Sequence, residues 1–174
     1  MMNKMKHSQS GFTLIELLLY AGIVAIMTTA ISGLLALSLQ ARVKNQVVES
    51  VESGAAIAMN DMLGTIRNGD GVTLTTDGNG DAIVTIATTN GGTNPIIFQL
   101  NSGVLTKKIG SAAAVAITSS NIALDNFAAS DATPTGETAQ SISLSFDVQY
   151  VNQNPRQEYH YSSSYSGFAQ MNTP

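Results

Sequence analysis

The 174-residue sequence contains no cysteine and no tryptophan, and only 11% of its residues are charged. Without cysteine the chain can form neither a disulfide bond nor a thiolate metal site, and a cysteine nucleophile is excluded. The formal net charge is −4. Because nucleic-acid binding needs clustered lysine and arginine, we do not expect nucleic acid as a partner. The basic pair Lys107-Lys108 is interpreted as a solvated strand end.

Histidine is also scarce. His7 lies in the polar N-terminal stretch, and His160, between two tyrosines, is the other one. A histidine metal site needs further ligands, and a serine nucleophile needs a histidine and an acid in a recognisable arrangement. Neither pattern is present in the sequence, so we expect no catalytic residues, no cofactor and no enzymatic activity.

A long apolar run follows the N-terminal stretch. Within residues 12–39, here called the apolar segment, the only charged side chain is Glu16. As a helix the segment would span about 42 Å, which exceeds the ~30 Å hydrocarbon core of a bilayer. Lys4 and Lys6 precede it without any acid, and basic residues keep that end of a membrane helix in the cytoplasm. The sequence therefore predicts one membrane span, with the rest of the chain across the membrane.

Two simpler interpretations leave features of this segment unexplained. A secretory signal peptide has a much shorter apolar core, followed by a small-residue cleavage site such as residues 36–38. A plain signal anchor accounts for the length and orientation but not for Gly11 or Glu16. An interfacial carboxylate is one explanation of Glu16, although a carboxylate inside a bilayer costs about 2.5 to 3.5 kcal/mol.

Residues 11–16, GFTLIE, lie between a short basic leader and a long apolar helix. This pattern resembles the processing signature of type IV pilins and of the pseudopilins of type II secretion and DNA-uptake systems. The resemblance implies that a membrane-embedded prepilin peptidase cleaves between Gly11 and Phe12 and methylates the new α-amino group of Phe12. It also implies that Glu16 of one subunit pairs with the Phe12 amine of a neighbour during filament assembly.

A helical pattern continues beyond the apolar segment. Apolar residues recur every three or four positions and predict a buried stripe formed by Val43, Val47, Val51, Ala55, Ala58, Met62 and Ile66. Gly54 is the weak point of this pattern, which ends in the glycine-containing stretch 67–71. The predicted organisation is a leader at 1–11, a membrane and filament-core helix at 12–39, an amphipathic continuation at 40–68 and a β-rich head at 69–174.

After residue 71 the period of the apolar pattern changes to two, which indicates strands. The predicted strands are 72–75, 82–88, 96–100, 104–109, 114–118, 122–127, 141–150 and 158–165. The residues from Ser166 onward are predicted to be a frayed polar tail. A long helix lying across one antiparallel sheet gives an α+β, pilin-like fold, and the order of helix and hairpins resembles minor pilins or pseudopilins of the tip class.

One candidate metal site comes from spacing alone. Asp77, Asn79 and Asp81 have the 1-3-5 spacing of a calcium loop. The sixth position is Ala82 rather than glycine and the twelfth is Thr88 rather than an acid, so a hairpin turn is the preferred interpretation.

The sequence thus predicts a structural pilin or pseudopilin subunit of a type IV pilus or a type II secretion-like filament. Its expected partners are the prepilin peptidase, other pilin subunits and an inner-membrane assembly platform. The expected location is the inner membrane, with the C-terminal domain outside the cytoplasm, and then the filament. The alternative is a membrane-tethered β-domain that binds a ligand and does not polymerise. Whether the subunit is major or minor is left open.

Overall fold

The computed structural model describes residues 12–89, 91–152 and 156–172. The chain divides into two compact units, Met1–Arg42 and Val43–Pro174. The first unit contains the beginning of one long helix, and the second contains the remainder of that helix and all of the described strands.

Helix α1 runs from Leu14 to Arg67, close to the predicted limits. In its second half a stripe of apolar side chains is buried, as predicted, and consists of Val47, Val51, Ala55, Ala58, Met59, Met62, Leu63 and Ile66. Val43, which the pattern placed at the start of the stripe, is half-buried. The 3.6-residue period therefore gives the face of the helix that covers the core.

Five consecutive antiparallel strands form the first sheet, sheet A, in the order β1 to β5. The strands are β1 (Gly71–Thr76), β2 (Ala82–Ala87), β3 (Ile96–Asn101), β4 (Val104–Ile109) and β5 (Val115–Ala116). Each is joined to the next by a short connection, as the alternation of apolar runs and turn residues predicts. Val84, Phe98 and Leu105 are among the side chains that this sheet contributes to the core.

The second sheet, sheet B, is three-stranded with the order β6-β7-β8. Its strands are β6 (Ile122–Asp131), β7 (Ser141–Tyr150) and β8 (Ser162–Gln170), and a short 3₁₀ helix, Gln157–Tyr159, precedes β8. The register of β6 against β7 shifts between Asp125 and Ala128, and Asn126 has a φ of 54°. These features identify a β-bulge in β6.

The core lies where the second half of α1 meets both sheets. Phe98, Phe127 and Phe146 are its largest fully buried side chains, and one comes from each of β3, β6 and β7. At Gly54 a Cβ atom would lie 2.3 Å from Cδ1 of Ile122. The glycine that the sequence presented as a weak point of the helix is thus the place where α1 and β6 approach each other closely.

The predicted α+β arrangement of one long helix packed on antiparallel strands is confirmed, but the strands form two sheets rather than one. Sheet A ends after two residues of β5. Directly beyond β5, the buried Thr118 hydroxyl accepts a hydrogen bond from the Leu105 N–H group at 3.2 Å. Because the Leu105 N–H group is bonded to this side chain, it cannot pair with the main chain of a longer β5. The chain then continues into the second sheet.

Two predictions about the C-terminus are wrong. The last strand is Ser162–Gln170 rather than 158–165, because residues 157–159 form the 3₁₀ helix. The residues after Ser166 are not a frayed tail: Ala169 and Met171 are buried in the core. The main chain is fixed there as well, since the Met171 N–H donates to Gln140 O at 2.9 Å.

Candidate processing and assembly site

Helix α1 begins with a side-chain cap. The Glu16 N–H group donates to Thr13 Oγ1 at 3.4 Å, and the Leu17 N–H donates to the Thr13 carbonyl at 3.2 Å. Thr13 therefore occupies the N-cap position, and the order Thr-x-x-Glu is that of a capping box. A carboxylate in the first turn is also favoured by the helix dipole, so Glu16 has a local role in starting the helix.

Phe12 precedes the helix and is 72% exposed. Its ring lies edge-to-face on Tyr20, with ring centroids 5.8 Å apart and an interplanar angle of 63°. Within the described ranges, no hydrogen bond or ion pair involves the Glu16 carboxylate. The cap thus uses the main chain of Glu16 and leaves its charged group available to an external partner.

All of residues 12–42 are exposed in the structure. Leu14–Arg67 contains a stretch long and apolar enough to cross a membrane, judged by length and composition, and that stretch is not buried by the rest of the protein. A capped helix start, an exposed apolar surface and one carboxylate in the first turn thus occur together at the N-terminal end of α1.

The family model of the prokaryotic N-terminal methylation motif matches residues 6–38. The chain carries a pilin-type processing motif. It is the signature of type IV pilins and pseudopilins, which confirms the family resemblance seen in the sequence, and it supports prepilin processing, methylation and a transmembrane helix as features of the chain. No curated protein and no solved structure matches the chain significantly.

The processing motif extends across Phe12 and Glu16, which the structure places in the N-cap segment and the first turn of α1. Gly11, the predicted cleavage residue, lies outside the described residues. Thr13 was not singled out in the sequence as a functional residue. The signal was nevertheless present, because threonine three residues before glutamate at the start of an apolar helix is the capping-box pattern.

Asp77, Asn79 and Asp81 form the turn between β1 and β2. Asp77 Oδ1 accepts hydrogen bonds from the N–H groups of Asn79 and Asp81, at 2.8 and 3.0 Å, and Asp81 Oδ1 accepts one from the Phe127 N–H at 3.1 Å. Both carboxylates thus accept hydrogen bonds from main-chain N–H groups, as in an Asx-type turn. Among the described residues no group of three or more His, Cys, Asp and Glu side chains could hold a metal ion.

His160 also has a structural role in the described chain. Its carbonyl oxygen accepts a hydrogen bond from Lys44 Nζ at 2.6 Å. Lys44 Nζ lies 5.4 Å from the centroid of the Tyr161 ring, and the Tyr161 hydroxyl donates to Glu52 Oε1 at 3.3 Å. Lys44 and Glu52 of α1 thus hold the segment that precedes β8.

The interpretation of Lys107-Lys108 as a solvated strand end is wrong for Lys107. Its Nζ lies 2.7 Å from Asp61 Oδ1, and the side chains are only 21% and 34% exposed. Lys107 Nζ is also 5.2 Å from the centroid of the Phe98 ring. This lysine therefore joins β4 to α1, whereas the neighbouring Lys108 is exposed.

Proposed function

We propose that the chain is a structural subunit of a type IV pilus or type II secretion-like filament. It is cleaved after Gly11, methylated on Phe12 and assembled through its N-terminal helix. The observation that carries this proposal is the pilin-type processing motif at residues 6–38, which coincides with an exposed apolar helix. The chain is the substrate of this chemistry and has no enzymatic role of its own.

The capped start of α1 supports cleavage between Gly11 and Phe12. The helix begins at Leu14 and its cap is Thr13, so every group that starts the helix lies after the cleavage point. Phe12 is outside the helix, where a protease can hold the chain in an extended form. Glycine before the cut allows close approach of the main chain to the peptidase. Removal of Lys4 and Lys6 changes the formal charge from −4 to −6.

The carboxylate of Glu16 supports assembly of subunits through their helices. A carboxylate in the bilayer is costly when unpaired, by about 2.5 to 3.5 kcal/mol on insertion scales. After cleavage, the α-amino group of Phe12 is a cation close to the same depth. When apolar segments pack side by side, Glu16 of one subunit pairs with Phe12 of the next, and the low dielectric strengthens this pairing. The pair fixes the axial register between subunits.

The location follows from the same features. The subunit is held in the inner membrane by the apolar segment, with Lys4 and Lys6 in the cytoplasm and the C-terminal unit across the membrane. Its partners are the prepilin peptidase, other pilin or pseudopilin subunits, and an inner-membrane assembly platform. In the assembled state the apolar segment leaves the lipid and becomes part of the filament core.

The test is the mass of the mature N-terminus. The full chain, with a C-terminal tag, is produced in a bacterium with and without a prepilin peptidase, and the purified protein is analysed by peptide mass spectrometry. We expect a chain that begins at N-methylated Phe12 only when the peptidase is present.

Gly11→Val is the matched variant, since it adds a branched side chain at the cleavage point without changing charge. It should remain at full length in the same membranes. A wild-type chain that still begins at Met1 beside an active peptidase would contradict processing and favour the membrane-tethered β-domain. In a bacterium that also supplies the assembly platform, correct processing without recovery of the subunit in sheared filaments or cross-linked oligomers would contradict the structural role.

A further inference from the structure

The strands at the sheet edges differ in how their outer main-chain groups are satisfied. Strand β5 has only two residues. The outer edge of β6 meets sheet A, where the Leu124 N–H donates to the Gly103 carbonyl at 2.8 Å. On β1, the Gln140 side chain accepts from the Val72 N–H at 2.7 Å and donates to the Val72 carbonyl at 3.3 Å. Short length, coverage and a side-chain cap are all ways of protecting an edge.

On β8 none of the outward main-chain groups is covered in one of these ways, whereas on β1 the side-chain cap covers those of Val72. The Tyr150 N–H donates to Tyr161 O, and the Met171 N–H donates to Gln140 O. With the continuous register against β7, these bonds place the main-chain groups of odd-numbered residues toward β7. The even-numbered residues therefore direct their N–H and C=O groups away from the sheet, and they are Ser162, Ser164, Ser166, Phe168 and Gln170.

These outward main-chain groups have no hydrogen-bond partner within the described ranges. The five residues that carry them are all exposed. An unpaired main-chain group is tolerated only where water can reach it, so this edge faces solvent. Nine residues of strand present an accessible row of donors and acceptors about 27 Å long.

The open edge is limited at both ends by helix α1. Before β8, the His160 carbonyl is occupied by Lys44 Nζ, and after β8, the Asn172 N–H donates to the Arg67 carbonyl at 3.0 Å. Between these contacts β8 contains no charged residue and no proline. Edge strands that avoid pairing with another strand usually carry such residues. Since β8 has neither, its edge can accept a further strand.

A polar cavity of about 360 Å³ extends across sheet B from β6 to the first residues of β8. It is lined by Asp125, Asp147 and Ser164, among others, and contains no basic side chain. The two aspartates are directly opposite each other in the register of β6 and β7. Hydrogen bonds from Ser164 and Asn126 lower the pKa of Asp147, so the cavity is anionic at neutral pH. Like charges opposite each other destabilise a sheet unless a cation relieves them.

We propose that the open edge of β8 binds an extended segment of a partner protein as an additional strand, and that a lysine or arginine of that segment reaches the Asp125–Asp147 cavity. A strand added at this edge would lie two strand spacings from β7, about 10 Å. The extended side chains of a lysine and of Asp147 together bridge that distance. The main chain would supply most of the affinity, and the basic side chain the specificity.

A second copy of this chain is a poorer occupant of the same edge. Pairing of β8 with β8 would bring only uncharged side chains, because Ser162–Gln170 contains no lysine or arginine. The Asp125–Asp147 pair would then remain without a cation. Charge complementarity therefore favours a basic extended segment from another protein.

The test uses the full chain in detergent micelles or nanodiscs and a capped, fluorescent peptide of alternating threonine and valine with one central lysine in place of a threonine. Binding is measured by fluorescence anisotropy, and hydrogen exchange reports the amides of Ser162, Ser164, Ser166 and Phe168. We expect saturable binding that slows exchange at these amides. Replacing the peptide lysine with glutamate should weaken binding by roughly tenfold.

Ser166→Pro removes one outward N–H group, which makes no bond to β7, so the fold should be kept while binding weakens by at least about tenfold. Thr76→Pro is the matched control, because Thr76 has an outward N–H at the edge of β1; it should bind the peptide like the wild type. Asp147→Asn should weaken binding of the lysine peptide and leave that of a glutamine counterpart unchanged.

Absence of saturable binding at millimolar peptide would overturn the proposal, as would binding that Ser166→Pro leaves intact. Equal binding of the lysine and glutamate peptides would remove the role of the aspartates. Concentration-dependent dimers in analytical ultracentrifugation that disappear in Ser166→Pro would show that a second copy, rather than a basic partner segment, occupies the edge.

Discussion

The two halves of helix α1 have the same backbone but different surroundings. All of residues 12–42 are exposed, although most side chains of the apolar segment are large and hydrophobic. Between Val47 and Ile66 the same helix has one polar face and one apolar face, and the apolar face is buried. Both halves thus carry apolar surface, but within the described chain only that of the second half is buried.

The difference shows what each half needs in order to be stable. Strands of both sheets cover the second half, so its burial is part of folding of the C-terminal unit. The first half carries apolar residues around its whole circumference, which is typical of a helix that meets lipid or other helices on every side. In the proposed function the bilayer is its first environment, and neighbouring subunits replace the lipid during assembly.

The largest expected effect concerns the one charge in the apolar segment. Glu16→Ala should abolish incorporation into filaments, because the neighbour's Phe12 amine loses its partner. Insertion and cleavage should continue, since Thr13 still caps the helix. Sheared-filament preparations and mass spectrometry of the membrane fraction measure the two steps separately.

Glu16→Gln is the informative companion variant, because it keeps the shape and hydrogen-bonding capacity of the side chain and removes only the charge. It should assemble poorly as well. Normal incorporation of either variant would remove Glu16 from the assembly mechanism and leave it with a role in helix capping alone.

The contrast between the halves of α1 was largely predictable from the sequence. Period 3.6 gave the buried stripe, and the lack of any polar face from Phe12 to Leu39 gave the membrane segment. Hairpins such as β3 and β4 were also predictable, because Asn101, Ser102 and Gly103 are turn residues between two alternating runs.

The parts that could not be predicted depend on contacts between distant residues. No local pattern shows that Gly54 meets Ile122, or that Lys107 of β4 pairs with Asp61 of α1. The last strand was ended too early because the residues from Ser166 onward are mostly polar and resemble a tail, whereas β8 continues to Gln170 through its pairing with β7. Tertiary pairing thus overrode a weak local preference. The N-terminal processing motif was the most predictable feature, because all of its residues lie in one contiguous stretch of the sequence.

The second effect compares the same substitution in the two halves of the helix. Ile66 is fully buried and Ile26 is 73% exposed. Ile66→Ala should lower the free energy of unfolding of the C-terminal unit by about 2–5 kcal/mol, and Ile26→Ala should leave it unchanged. Hydrogen exchange of strand amides in detergent-solubilised full chain measures both variants. Equal losses in the two would mean that the halves are not energetically separate.

A smaller effect is expected at the ion pair that joins α1 to sheet A. Lys107→Met keeps most of the aliphatic side chain but leaves Asp61 without its cation, and should cost about 1 kcal/mol or less, because both groups are partly solvated. Lys108→Met, which removes an exposed lysine next to it, should be neutral. The loss at Lys107 should shrink at high salt. Equal effects of the two substitutions would restore the solvated-strand interpretation of the pair.

The smallest expected effect concerns pH and lies wholly within the C-terminal unit. Hydrogen bonds from Thr133 lower the pKa of Asp131, and those from Ser164 and Asn126 lower the pKa of Asp147, both below the ordinary value of 3.8. A carboxylate with a lowered folded-state pKa stabilises the fold above its unfolded-state pKa, and this stabilisation is lost as the pH falls through the folded-state value. Thermal unfolding, followed by circular dichroism, should therefore shift to lower temperature as the pH is reduced below about 4.

Ser164→Ala removes the first of the hydrogen bonds to Asp147 and should make that shift smaller, with little change at neutral pH beyond the loss of the bond itself. The N-terminal half of α1 provides the internal comparison, because its helical content depends on the surrounding detergent rather than on these carboxylates. A variant whose unfolding temperature falls with pH as steeply as that of the wild type would show that the pH dependence arises from other carboxylates of the C-terminal unit.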